Sequence, residues 1–140
     1  MQREPQRRRV TVIEDSPGLL ELLGDVLRFD GLDVSLLDGE TTLDDIQASQ
    51  PELLVIDWRL STNDLTGLDI IRHARSEPAL RDVPIIVCSG APDEVGAHED
   101  ELAGTPQVSM LPKPFSLDEL EASVRQALSS ALTQGSAARQ

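Results

Sequence analysis

Five short aliphatic runs recur along the chain, and an amphipathic or polar stretch follows each of them. The runs are Val10–Ile13, Val34–Leu37, Leu53–Ile56, Ile85–Cys88 and Val108–Leu111. Leu53–Ile56 places four apolar residues in a row, which suits a strand covered on both faces. Strand and helix alternating five times predict a parallel sheet with helices on both sides, joined by right-handed crossovers.

Helix signals fall between the runs. Ser16 is a candidate N-cap with Pro17 in the first turn, and Leu19, Leu22, Leu23, Val26 and Leu27 recur at helical spacing until Gly31. Residues 42–49 read as a weaker helix. After Leu53–Ile56 a polar loop runs from Arg59 to Thr66, and Gly67 leads into a helix carrying Leu68, Ile71 and Arg75. Asp93–Leu102 is at best a poor helix, because Gly96 interrupts it and it has few apolar anchors. Pro112-Lys113-Pro114 breaks off the fifth strand. Ser116 with Glu119 forms a capping box for a last helix, which carries Leu117, Leu120, Val124 and Leu128. Residues 1–7 read as a disordered basic tail, 8–132 as one domain, and 133–140 as a flexible tail.

The apolar fraction of 39% is enough for a core, and with aromatics at 2% that core must be aliphatic. The net charge is −13. Four of the twelve basic residues lie in the first nine positions beside one acid, so the rest of the chain sets eight basic residues against twenty-four acidic ones. Nucleic-acid backbones and anionic membranes repel such a surface, whereas a divalent cation or a basic partner is attracted to it. A single cysteine, Cys88, allows no internal disulfide, which fits a cytoplasmic location. No segment reads as a signal peptide, and none reaches membrane-spanning length.

In a sheet of this kind, sites form at the carboxyl ends of the strands. Glu14 and Asp15 follow the first strand, Asp57 the third, Ser89 the fourth and Lys113 the fifth. Three carboxylates crowded together raise one another's pKa unless a cation neutralises them, and oxygen ligands of this kind suit Mg²⁺. A metal-bound carboxylate beside an ammonium can receive a phosphoryl group, and a carboxylate can be its covalent nucleophile. Taken singly, Glu14-Asp15 reads as a solvated turn, Asp57 and Ser89 as caps, and Lys113 as a surface residue. Yet Lys113 is the only lysine in a chain with eleven arginines, and a compact ammonium is not interchangeable with a planar guanidinium at a tight phosphate site.

Val12-Ile13-Glu14-Asp15-Ser16, Leu54-Val55-Ile56-Asp57, Ile85-Ile86-Val87-Cys88-Ser89-Gly90-Ala91 and Leu111-Pro112-Lys113-Pro114-Phe115 occur in that order. The chain thereby resembles, over about residues 8–130, the receiver domains of bacterial two-component response regulators. The resemblance implies a flavodoxin-like α/β sheet of strand order 2-1-3-4-5. It implies a signalling phosphoacceptor that catalyses only its own phosphorylation and dephosphorylation. Asp57 would attack a phosphohistidine on a partner histidine kinase or phosphotransfer protein. Asp15 and Asp57 would bind Mg²⁺ directly, with help from Glu14 through water and from the backbone carbonyl of Arg59. Lys113, Ser89 and Gly90 would accommodate the phosphoryl oxygens, and the Lys113–Pro114 bond would be cis. The output would be a phosphorylation-dependent protein contact, with no direct nucleic-acid binding and no membrane insertion.

The chain departs from the family pattern in three places. Ser61 stands where a proline is usual four residues after the acceptor. Gly67 comes ten residues after Asp57 rather than eight. Met110 replaces the usual aromatic three residues before the lysine. The alternatives are a pseudo-receiver that works without phosphorylation, and a receiver that is one piece of a larger hybrid protein. A haloacid-dehalogenase phosphatase needs a second acid where Arg59 stands. A flavodoxin-type FMN carrier needs hydroxyl and glycine residues where Glu14-Asp15 stands.

Overall fold

The computed structural model describes residues 7–62, 65–90 and 99–138. The elements are β1 (Arg9–Ile13), α1 (Pro17–Phe29), β2 (Asp33–Leu37), α2 (Leu43–Ala48), β3 (Leu53–Asp57), β4 (Ser61–Thr62), β5 (Leu65–Thr66), α3 (Gly67–Ser76), β6 (Ile85–Ser89), α4 (Glu99–Ala103), β7 (Val108–Pro112) and α5 (Leu117–Ala138). The main sheet is parallel throughout, in the order β2-β1-β3-β6-β7. Counted as the five strands of that sheet, this is 2-1-3-4-5.

Alternate residues of each strand serve opposite faces, as the pleat demands. Val10, Val12, Leu53, Val55, Ile86 and Cys88 join Leu20, Leu23 and Leu27 of α1 and Leu120, Val124 and Leu128 of α5 in one core. Ile13, Leu54, Ile56, Ile85 and Val87 join Ile46 of α2, Leu68, Ile70 and Ile71 of α3 and Leu102 of α4 in the other. Burying each such side chain is worth on the order of 2 kcal/mol. Two independent cores explain why the central strands carry no polar face.

Helix ends follow local chemistry, with some surprises. α1 closes in a Schellman motif, with Gly31 N donating to Arg28 O and Leu32 N to Leu27 O. Gly31 has φ 88°, a backbone region costly for any side chain. Ser16 occupies the N-cap of α1, but its side chain makes no cap bond. Thr42 with Asp45 and Thr66 with Asp69 form two further capping boxes. Ser116 and Glu119 pair as expected, at 3.0 and 3.1 Å. α5 continues to Ala138, so six residues of the segment 133–140 expected as a tail are helical. At the other end, Arg8 Nε is 2.8 Å from Glu52 Oε2 and Arg9 Nε donates to Gln50 O.

The polar stretch after Asp57 is more ordered than a plain loop. β4 and β5 pair antiparallel, Ser61 with Thr66 and Thr62 with Leu65. Most of the expected weak helix Asp93–Leu102 lies outside the described residues, as does Ala91. The described part is α4, anchored by Leu102 and by a two-pronged ion pair of Arg72 with Glu101 at 2.8 Å for each prong.

Candidate functional site

Parallel pairing brings the strand ends into line. Ile13 is level with Ile56, Asp57 with Cys88, and Ser89 with Pro112. Glu14, Asp57, Ser89 and Lys113 therefore gather at one edge although up to 99 residues separate them. Glu14 is 3% exposed, Asp57 8% and Ser89 7%, while Asp15 is open to solvent.

Carboxylate oxygens of Glu14, Asp15 and Asp57 lie within 4.8 Å of one another, the one group of such ligands with that spacing among the described residues. Lys113 Nζ is 3.5 Å from Glu14 Oε1 and 3.5 Å from Asp57 Oδ1. Asp57 Oδ1 also accepts from the backbone N–H of Arg59 at 3.2 Å, and Glu14 Oε2 from that of Ser16 at 3.2 Å. Lys113 is tied into the sheet by its own N–H, which donates to Ser89 O at 2.6 Å. The Lys113–Pro114 peptide is cis. Gly90 follows Ser89 at the exposed rim.

The electrostatics match the crowding. Burial, and then the negative charge of Asp57, push the Glu14 carboxyl up to about 7, against the pull of the Ser16 N–H and Lys113. Burial works against the Lys113 ammonium, but Asp57 and Glu14 outweigh it and hold it above its ordinary range. Burial likewise pushes the Cys88 thiol up to about 12, which leaves it inert beneath the site. Three carboxylates against one ammonium leave negative charge unneutralised. An all-oxygen donor set in that condition fits a hard divalent cation such as Mg²⁺.

Two site features were not read from the sequence. A Cβ on Gly39 would lie 3.2 Å from Asp15 Cβ, so the turn after β2 runs close beside the base of that side chain. A Cβ on Gly67 would lie 3.0 Å from Asp57 O. In the sequence the second shows only as a glycine ten residues after Asp57, a departure from the family spacing. Met110 is neither core nor part of the site. It is 37% exposed and lines a groove of about 570 Å³ between β7 and α5, with Pro84, Gln107, Ala122 and Gln126.

A family model for the response regulator receiver domain matches residues 10–125. The chain belongs to the response regulator receiver domain family. Receiver domains are signalling phosphoacceptor modules. Relatives of this one include the DNA-binding response regulator MtrA of Mycolicibacterium smegmatis, 32% identical over 87% of this chain. The phosphate regulon transcriptional regulatory protein PhoB of Escherichia coli is 29% identical over 84% of it. The receiver chain spans about half the length of these relatives, 51% and 50% respectively. Among solved structures, a sensor protein from Polaromonas sp. JS666 matches at TM-score 0.74 and 24% identity, covering 90% of this chain and 99% of that one. The receiver domain of sensor histidine kinase PA1611 from Pseudomonas aeruginosa, with a magnesium ion coordinated in its active-site cleft, matches at TM-score 0.72 and 21% identity, covering 89% and 99%. At these identities the structures speak to the fold. No helix among the described residues is long and apolar enough to cross a membrane.

Proposed function

We propose that this receiver domain, residues 8–132, acts in the cytoplasm and takes a phosphoryl group from the phosphohistidine of a partner histidine kinase or phosphotransfer protein onto Asp57. The observation that carries this reading is the placement of Lys113 Nζ at 3.5 Å from both Asp57 Oδ1 and Glu14 Oε1, beside the three-carboxylate cluster. An oxygen of Asp57 attacks phosphorus, and the P–N bond to the donor imidazole breaks with its electron pair returning to nitrogen. Lys113, the Ser89 hydroxyl and the space beside Gly90 receive the phosphoryl oxygens. Asp15 and Asp57 would hold Mg²⁺ directly, with Glu14 through water and the Arg59 carbonyl completing the protein ligands. When bound, the ion neutralises charge on the transferring group. The phosphorylated form signals by contact with a protein partner, and the domain's only catalysis is of its own phosphorylation and dephosphorylation.

The test is mass spectrometry of the intact chain with Mg²⁺ and acetyl phosphate. One phosphoryl mass is expected on the wild type and none on Asp57→Asn. A stoichiometric adduct on Asp57→Asn, or a wild type that takes up nothing, overturns the reading.

A further inference from the structure

Gly67 is the first residue of α3, and it abuts the turn that carries Asp57. An added Cβ would meet Asp57 O at 3.0 Å, Trp58 O at 3.1 Å and Trp58 Cα at 3.3 Å, all of them backbone atoms. The requirement for glycine here is spatial, since Gly67 is not among the residues of positive φ. The acceptor turn is short and hydrogen-bonded on each side. Trp58 N donates to Cys88 O at 2.8 Å and Leu60 N to Asp57 O at 3.1 Å, while Arg59 N reaches the Asp57 carboxylate itself. α3 is the firmer partner, with Leu68, Ile70, Ile71 and Ala74 buried and the Thr66–Asp69 capping box at its start. An added Cβ there leaves no room without a shift of one backbone or the other.

The β4–β5 hairpin bears on the same contact. The pairing of Ser61 with Thr66 folds the residues after Leu60 back on themselves. The chain thereby returns to Asp57 at Gly67 despite the ten-residue path.

The geometry points to Gly67 as a positioning residue for Asp57: the bare start of α3 is the stop against which the Asp57–Trp58 peptide rests, and so sets where the carboxylate stands relative to Lys113 and Glu14. This inference rests on the phosphoacceptor reading for its chemical consequence, but its geometric content can be measured separately.

Gly67→Ala is the test, with Ala74→Gly as control. Ala74 is buried in the last turn of the same helix, so the control loosens α3 without touching Asp57. For Gly67→Ala, labelling by acetyl phosphate is expected to slow about tenfold, as a displacement of a few tenths of an ångström at the reacting group would require. Its Mg²⁺ midpoint, read from the fluorescence of Trp58, should rise. Its emission maximum without metal or donor should shift, since Trp58 carries two of the atoms touched. Ala74→Gly should lose stability but keep all three readouts. If both variants lose stability and both label at the wild-type rate with unshifted emission, α3 gives way instead and the inference fails. Should Gly67→Ala be unfolded, the comparison is made in an osmolyte such as trimethylamine N-oxide, which favours the compact state. A chain still unfolded there also overturns the inference, because the glycine would then hold the fold and not the carboxylate. If wild type takes up no phosphoryl group, the function reading fails, and emission and Mg²⁺ midpoint alone decide this one.

Discussion

Lys113 Nζ stands 3.5 Å from Asp57 Oδ1, across the ends of two strands that are not neighbours in the sheet. The Lys113 side chain is about three-quarters shielded from solvent, and its ammonium is shared between Asp57 and Glu14. Lys113→Ala should lower the rate of acetyl phosphate labelling by roughly a hundredfold, the usual scale for removing one fixed charge that faces developing negative charge. Lys113→Arg should not restore it, because a planar fork does not fit between two carboxylates placed for a point charge. Labelling of Lys113→Arg within about twofold of wild type would show that charge alone is needed here.

Glu14 predicts a pH dependence of stability. Its folded pKa of about 7 lies above the ordinary value of 4.5. The native state therefore holds the proton more tightly than the unfolded chain. The stability this provides is fully present below 4.5 and is lost as pH rises to about 7. In metal-free buffer the loss from this group should be on the order of 3 kcal/mol. Thermal melts between pH 4.5 and 8 should show the decline in wild type and a flatter profile in Glu14→Gln. Millimolar Mg²⁺ at pH 8 should recover much of the loss. Identical profiles for the two proteins would remove Glu14 as the source.

Cys88 predicts silence. It is 3% exposed, and its thiol is pushed up to about 12 by burial. Iodoacetamide at pH 8 should leave the native protein unmodified and label it fully in guanidinium chloride. Because Cys88 is the only cysteine, the native labelling rate reports opening of the sheet. Rapid stoichiometric labelling of the folded protein would contradict the burial.

Arg75 predicts a structural loss without a chemical one. Its guanidinium donates to the carbonyls of Val83 at 2.8 Å, Pro106 at 2.9 Å, Arg81 at 3.2 Å, Leu80 at 3.3 Å and Gln107 at 3.4 Å. These lie at the entrances to β6 and β7, opposite the site. Lysine cannot span that set with one ammonium, so Arg75→Lys should cost about 2 kcal/mol in urea unfolding. The acetyl phosphate labelling rate should stay at the wild-type value. A fall in labelling would mean that the two ends of the sheet are coupled.

The sequence by itself determined the architecture and the cast of the site. Val10–Ile13, Leu53–Ile56 and Ile85–Cys88 are apolar at every position but one, and that pattern requires strands covered on both faces. Once the sheet is parallel, Glu14, Asp57, Ser89 and Lys113 must lie at one edge, because each stands where its strand ends. The tertiary structure alone decided matters that depend on contacts between segments distant in sequence. The shared position of Lys113 between two carboxylates is set by register across four strands, β1, β3, β6 and β7. The exposure of Met110 depends on how α5 crosses β7. The hairpin of β4 and β5 takes up the ten-residue spacing, because pairing of Ser61 with Thr66 returns Gly67 to within touching distance of Asp57. Periodicity records which face a residue serves. It does not record how closely two backbones approach, and at Gly67 that approach is decided by packing α3 against a turn formed at the other end of the loop.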